Sequence, residues 1–179
     1  MSPSAHTDTF CRDHLPPREQ WPVLDLGPLD YGEHLNCATE LLDGTIDRLG
    51  PDRPCLRSPD GTVWTYGELR AHANRIAHVL VEDLGLVPGN RVLLRGFNEP
   101  WMVACWFAVL KAGGVAVTTM PLLRAGELST MAEMCRPSVA ICDHRLTEDL
   151  AKAAIRGLAT AVFGSSAPDD LSTRSAGSR

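Results

Sequence analysis

Residues 101–124, WMVACWFAVLKAGGVAVTTMPLLR, decide the fold. Trp101 to Leu110 is a run of ten apolar residues, too short to span a bilayer and apolar on every face of a helix. Such a helix has to be covered on more than one side. Lys111 suits the negative end of its dipole, and Gly113 or Gly114 can take the left-handed conformation that ends it. Val115 to Val117 then reads as a short interior strand, and Pro121 cannot continue a central ladder, so the chain leaves the sheet there. Helix, glycine stop, buried strand and proline loop make half of a βαβ unit.

Working outward, Arg91 to Leu94 reads as the strand before that helix, with Asn98 as its cap and Pro100 in its first turn. An amphipathic helix precedes it from about Tyr66 to Leu84, with Leu69, Ala73, Ile76, Ala77 and Leu80 on one face and Gly85 and Pro88-Gly89 after it. Cys55–Arg57 and Val63–Thr65 flank Ser58-Pro59-Asp60-Gly61, the chemistry of a hairpin turn. Asn36 is placed to cap a helix running to Leu49, with Ala38, Leu41, Leu42, Thr45, Ile46 and Leu49 as its stripe.

On the other side come a helix from Glu127 to Cys135, stopped before Pro137, and a strand from Val139 to Cys142. A helix from Leu146 to Arg156 and a strand from Ala161 to Phe163 follow. The order αβαβαβαβ from Tyr66 onward predicts an α/β fold, a mostly parallel sheet with helices on both faces. Residues 35–165 are expected to form that domain. Residues 1–34, with Pro3, Pro16, Pro17, Pro22 and Pro28, read as an irregular arm anchored by Trp21 and Tyr31. Residues 166–179, polar and without periodicity, read as a disordered tail.

A chain of 179 residues, 44% hydrophobic, has the length and composition of one ordinary globular core. The formal charge is −5 and the 15 arginines are scattered, which argues against a nucleic-acid surface. The N-terminus has no basic-then-apolar pattern and the longest apolar run is too short for a membrane helix, so no secretory signal and no membrane span are expected, and the chain is placed in the cytoplasm. The six cysteines, Cys11, Cys37, Cys55, Cys105, Cys135 and Cys142, accordingly read as reduced and mostly buried thiols.

Local motifs carry little chemistry. Neither GxGxxG nor GxxxxGK occurs, and Lys111 to Gly114 follows its helix instead of opening one, so it reads as a helix stop. The histidines form no HExxH. Cys135, Cys142 and His144 match no common zinc spacing and read as thiols beside a surface imidazole, with a Cys/His nucleophile pair left open. Asp143 stands where parallel sheets place functional groups, though a turn or cap role is the commoner one. Arg124, between the Pro121 loop and a helix, is either a solvated arginine or a contact for an anionic ligand.

Two segments resemble motifs of the AMP-forming acyl-CoA synthetase family, the adenylate-forming or ANL superfamily. Trp64-Thr65-Tyr66-Gly67-Glu68-Leu69 resembles the family's (T/S)YxEL motif, and Leu110-Lys111-Ala112-Gly113-Gly114 running to Pro121 resembles LKAGxxxxxxxP. Both occur in register, with a strand and the Asn98 to Pro100 turn between them, and the resemblance covers about residues 8–165. Within the family the arm (Asp8 to Phe10, Leu15 to Pro17, Gln20 to Pro22) and the Thr118 to Arg124 loop are most similar to benzoate and 2-aminobenzoate CoA ligases. Leucines follow Pro121 where many relatives carry aspartate or asparagine nearby.

The resemblance implies an enzyme that joins a carboxylate to ATP, giving an acyl-adenylate and pyrophosphate, and then passes the acyl group to coenzyme A. It implies ATP, Mg2+ and coenzyme A as cofactors of the complete enzyme, with a small aromatic or other carboxylic acid as substrate. The family's Ser/Thr-Gly-Thr-Thr-Gly-x-Pro-Lys loop is expected just after the last strand. Residues 164–179 carry no such run, and neither Lys111 nor Lys152 stands in a context like the family's catalytic lysine. The chain is therefore expected to be the N-terminal portion of such a ligase, without adenylation activity or tight cofactor binding of its own, and prone to self-association through apolar surface left uncovered. No catalytic residue is carried over; Arg124 alone is carried over, as a contact to the coenzyme A phosphate. The alternatives are a non-catalytic module docking on an intact ligase, and one half of a split ligase whose other polypeptide supplies the loop and lysine.

Overall fold

The computed structural model describes residues 4–177 except Leu24, Leu26, Asp30 and Glu33, so Pro3 of the arm and the last two residues of the tail lie outside the described residues. Helices α1 (Phe10–Asp13) and α2 (Gly44–Leu49) precede a hairpin of β1 (Pro54–Arg57) and β2 (Val63–Thr65). After it come α3 (Tyr66–His78), β3 (Arg91–Arg95), α4 (Pro100–Lys111), β4 (Val115–Thr119), α5 (Ala125–Cys135), β5 (Val139–Asp143), α6 (Thr147–Lys152), β6 (Ala159–Phe163) and α7 (Leu171–Gly177). Strands β3 to β6 form one parallel sheet in the order β4-β3-β5-β6.

Side-chain alternation along the strands covers both faces of this sheet. Val92, Leu94, Val139, Ile141, Ala161 and Phe163 point to the side of α3 and α4. Leu93, Ala140 and Cys142 point to the other, against Leu150 of α6. Successive strand residues face opposite ways, so a run such as Arg91-Val-Leu-Leu-Arg95 must be apolar throughout its middle to be buried twice. The expected α/β architecture is thus present.

Both sequence motifs are helix termini. Thr65 Oγ1 accepts from the Glu68 backbone N–H at 3.2 Å, and Glu68 Oε2 accepts from the Thr65 N–H at 2.7 Å, a reciprocal capping box that starts α3. Gly67 packs on Pro51, where a β-carbon would stand 3.1 Å from the proline ring, and Leu69 is buried. At the other motif Lys111 pairs with Asp43 at 2.5 Å, and Leu110 O accepts from Asn36 Nδ2 at 2.8 Å. Gly113 has the left-handed φ of 74° that ends α4. The predicted Asn36 cap is also present, its Oδ1 accepting from the N–H groups of Ala38 and Thr39.

Several expectations need correction. A wide turn over Thr39–Asp43 rotates the stripe ahead of α2, burying Ala38, Leu42 and Ile46 and leaving Leu41 and Leu49 about half exposed. Glu99, not Asn98, occupies the N-cap position of α4, and its side chain makes no cap. Strand β3 extends to Arg95, β6 begins at Ala159, and α6 ends at Lys152, four residues short of the expected Arg156. In the arm, Trp21 and Tyr31 remain 44% and 41% exposed, whereas Asp8 and Phe10 contact the sheet's N-terminal end. The low-complexity segment read as a disordered tail contains α7, whose Leu171 is buried in the main core. Of the cysteines only Cys105 and Cys142 are buried, and Cys37 is exposed.

Candidate functional site

The sheet reverses its direction of growth beside β3. From β3 the chain moves to β4 on one side, then returns past β3 to β5 and onward to β6. The β3–α4 loop and the β5–α6 turn consequently leave neighbouring strands at their carboxyl ends, the place where open α/β sheets receive ligands. Gly96, directly after β3, makes room there for Met102 of α4 and Phe163 of β6. A β-carbon there would lie 2.8 Å from Phe163 Cζ and closer still to the methyl of Met102.

Three charged residues meet at this point. Asp143 is fully buried and accepts from the Arg145 backbone N–H at 2.9 Å and from its Nε at 2.8 Å. Arg145 Nη2 also contacts Asp143 Oδ2 and reaches Glu99 Oε1 at 3.0 Å, while its guanidinium lies 4.7 Å from the Phe97 ring centre. Burial pushes the Asp143 carboxyl up, but the Arg145 bonds outweigh it and hold the group below the usual carboxylate range. Glu99 moves the other way, raised first by burial and then by Asp143 beside it. Asp143 therefore has the cap role of the commoner sequence reading, accepting from the Arg145 N–H, and holds an ion pair that the sequence did not show.

Beside this cluster lies a cleft of about 240 Å³ whose lining includes Phe97, Leu122, Arg124, Arg145, Glu148 and Asp149. Arg124 stands at its rim, with its side chain 81% exposed and Nη1 donating to Asp149 Oδ2 at 3.2 Å. Its backbone N–H donates to Glu127 Oε2 at 2.8 Å, which starts α5 two residues before the expected Glu127. Arg124 is thus solvated, and it also faces an opening at the carboxyl end of the sheet.

A wider cleft, of about 660 Å³, lies between the hairpin and the start of α4, with Leu56, Asp60, Trp64, Glu99 and Trp101 among its lining residues. Trp64 and Trp101 meet edge to face at 5.2 Å, and the His72 ring packs 4.5 Å from one and 4.6 Å from the other. Burial, then Arg75, holds His72 below the ordinary imidazole range. The volume is of small-molecule size, and the walls are mostly apolar.

The other sequence candidates do not assemble into a site. Cys142 points into the core face of Leu93, Ala140 and Leu150, its thiol pushed up to about 12 by burial. His144 approaches Asp143 Oδ1 at 3.5 Å instead. Among the described residues no group of three or more His, Cys, Asp or Glu is arranged to hold a metal ion. Lys152 pairs with Glu148 at 2.5 Å. Glu99, Arg145 and Arg95 belong to no motif, and of the three only Arg95 closes an apolar strand, a position that does not tell a solvated arginine from a buried one.

A family model described as "AMP-binding enzyme" matches residues 46–175. Nonribosomal peptide synthetase GRA1 of Gibberella zeae is 32% identical over 133 residues, 74% of this chain and 2% of that protein. Among solved structures, ATP-bound MatB from Rhodopseudomonas palustris aligns with a TM-score of 0.69 at 27% identity, covering 80% of this chain and 28% of MatB. A benzoate CoA ligase from Burkholderia xenovorans LB400 aligns with a TM-score of 0.67 at 25% identity, covering 81% of this chain and 29% of the ligase. The first curated relatives are matched over 1% to 13% of their own length.

Proposed function

The chain belongs to the AMP-binding enzyme family, and from that premise we propose that it is the N-terminal portion of an AMP-forming acid–thiol ligase. In this reading the complete enzyme converts a carboxylic acid, ATP and coenzyme A into an acyl-CoA, AMP and pyrophosphate by way of an acyl-adenylate. The match over residues 46–175 carries it, and the alignment with ATP-bound MatB over 80% of the chain supports it. An aromatic acid is the proposed substrate class, on the Thr118 to Arg124 loop and the alignment with a benzoate CoA ligase.

The proposed contribution of these residues is architectural. They supply four parallel strands and the switch point at the ends of β3 and β5. The exposed Arg124 guanidinium at the cleft rim is the group offered to a coenzyme A phosphate. For Mg2+ the described residues offer no cluster of acids that fits. By themselves the 179 residues do not form an adenylate in this reading, and the proposed setting is the cytoplasm, where ATP and coenzyme A are at hand. No helix among the described residues is long and apolar enough to cross a membrane.

Acid-dependent exchange between ATP and pyrophosphate, with benzoate and 2-aminobenzoate, tests the reading. The purified chain should give none, and robust exchange would overturn the architectural role. Mixing decides between the two alternatives: exchange restored by a polypeptide that carries the rest of a ligase identifies a split enzyme, and association with an intact ligase identifies a docking module. The Arg124 assignment is tested by following its Nε–H resonance during titration with coenzyme A to millimolar concentration. A saturable shift is expected, and its absence removes Arg124 from the site.

A further inference from the structure

Arg95, the last residue of β3, is fully buried and takes no part in that reading. Its register partners Thr119 and Cys142 fix it at the centre of the sheet's carboxyl end. Its Nε donates to Leu146 O at 3.3 Å, Nη1 to Met120 O at 3.3 Å, and Nη2 to Pro121 O at 3.2 Å and Leu123 O at 2.8 Å. Among the described residues no carboxylate pairs with it. A buried cation without a counter-ion is costly unless fixed dipoles replace its water, and here four backbone carbonyls do so.

Three of those carbonyls belong to the β4–α5 loop and one to the β5–α6 turn. A planar guanidinium reaches both because its donors are held in a rigid fork, whereas the three donors of a lysine ammonium radiate from one atom. Thr119 Oγ1, donating to Leu94 O at 3.1 Å, ties β4 to β3 at the same level. The two joined segments are the walls of the smaller cleft: Arg124 directly follows Leu123, and Arg145 directly precedes Leu146.

We propose that Arg95 is a positioning residue that locks the β4–α5 loop to the β5–α6 turn, so that Arg124 and Arg145 keep a fixed relation across the cleft. Its functional meaning rests on the reading of Arg124 as a coenzyme A contact, but the mechanical coupling does not. Three amides report on the lock. Leu123 N–H donates to Met120 O at 3.2 Å, Arg124 N–H to Glu127 Oε2 at 2.8 Å, and Arg145 N–H to Asp143 Oδ1 at 2.9 Å.

Residue-resolved hydrogen exchange on the purified chain tests the coupling. In the unmodified chain the three amides, corrected for intrinsic rates, should share one opening equilibrium to within about threefold. Arg95→Met should lower all three protection factors together by about tenfold or more while the β3 and β5 amides stay protected. Arg95→Lys should fail to restore at least one side. Val92→Ala, on the opposite face, should lower the thermal midpoint without changing the ratio among the three.

Independent opening of Leu123 and Arg145 in the unmodified chain, or loosening of only one side by Arg95→Met, overturns the lock. If Arg95→Met does not fold, the unmodified chain and Arg95→Lys still decide. The Arg124 resonance separates the two readings. Loss of its coenzyme A shift in Arg95→Met supports positioning, and a shift that survives loosened loops overturns it. No shift in the unmodified chain overturns the Arg124 assignment and leaves the coupling to the exchange data.

Discussion

Asp8 and Arg91, 83 positions apart, form an ion pair at the end of the sheet opposite the cleft. Asp8 Oδ2 also accepts from Asn90 Nδ2 at 2.8 Å, and Oδ1 accepts from the Phe10 N–H at 2.9 Å. Arg91 stacks 4.4 Å from the Phe10 ring centre and donates to the carbonyls of Gly89, Cys135 and Arg136. One buried arginine thereby fastens the N-terminal arm to β3 and to the end of α5.

Asp8→Asn should therefore destabilise the chain at neutral pH by about 1.5–3 kcal/mol, the range for hydrogen bonds to charged groups. The Asp8 carboxyl is held below its ordinary range by the Phe10 N–H first and by Arg91 next. A depressed native pKa stabilises the fold above the unfolded value, and that stability is lost as pH falls through the native one. The difference in thermal midpoint from Asp8→Asn should be flat above about pH 5 and shrink below about pH 4. A difference that grows in acid would refute the assignment.

Gly96→Ala should cost about 1–3 kcal/mol, because the new methyl would press on Phe163 and Met102 inside the packed switch point. Urea unfolding measures this. An unchanged midpoint would mean that the β3–α4 loop has room the structure does not give it.

Thr65→Ala removes the acceptor for the Glu68 N–H and should cost about 1 kcal/mol, while Thr65→Ser should be nearly neutral. Equal losses in the two variants would show that the motif matters through something other than the cap.

Thiol labelling at neutral pH should separate the cysteines. Cys37 is exposed and should react in the native chain, whereas Cys105 and Cys142 are buried, with both thiols pushed upward by burial. They should react only on unfolding. Rapid native labelling of Cys142 would contradict its place behind the sheet.

The motifs by which the family is legible in the sequence are both structural. Thr65 and Glu68 start a helix, and Lys111 and Gly113 end one. They can be read locally because caps and stops depend on residues within a few positions of each other. Arg95 could not be read that way: its partners lie 25 to 51 residues away, and an arginine closing a strand has the same one-dimensional appearance whether it is solvated or buried. Arg145 is local on one side only, with Asp143 two residues away and Glu99 46 away.

Periodicity and capping act over short separations, so the alternation of helices and strands, the double-sided burial of β3 and β5 and the two helix termini are written locally in the chain. Which strands adjoin, and with that which loops share the end of the sheet, emerges only on folding. Folding also decided the fate of the charges there. Asp143 became a buried ion-pair residue, Arg124 remained at a solvent-facing rim, and Arg95 was withdrawn from water. The physical reason is the same in each case: a charge takes its role from the dipoles, counter-charges and solvent around it, and the order β4-β3-β5-β6 is what brings those neighbours together.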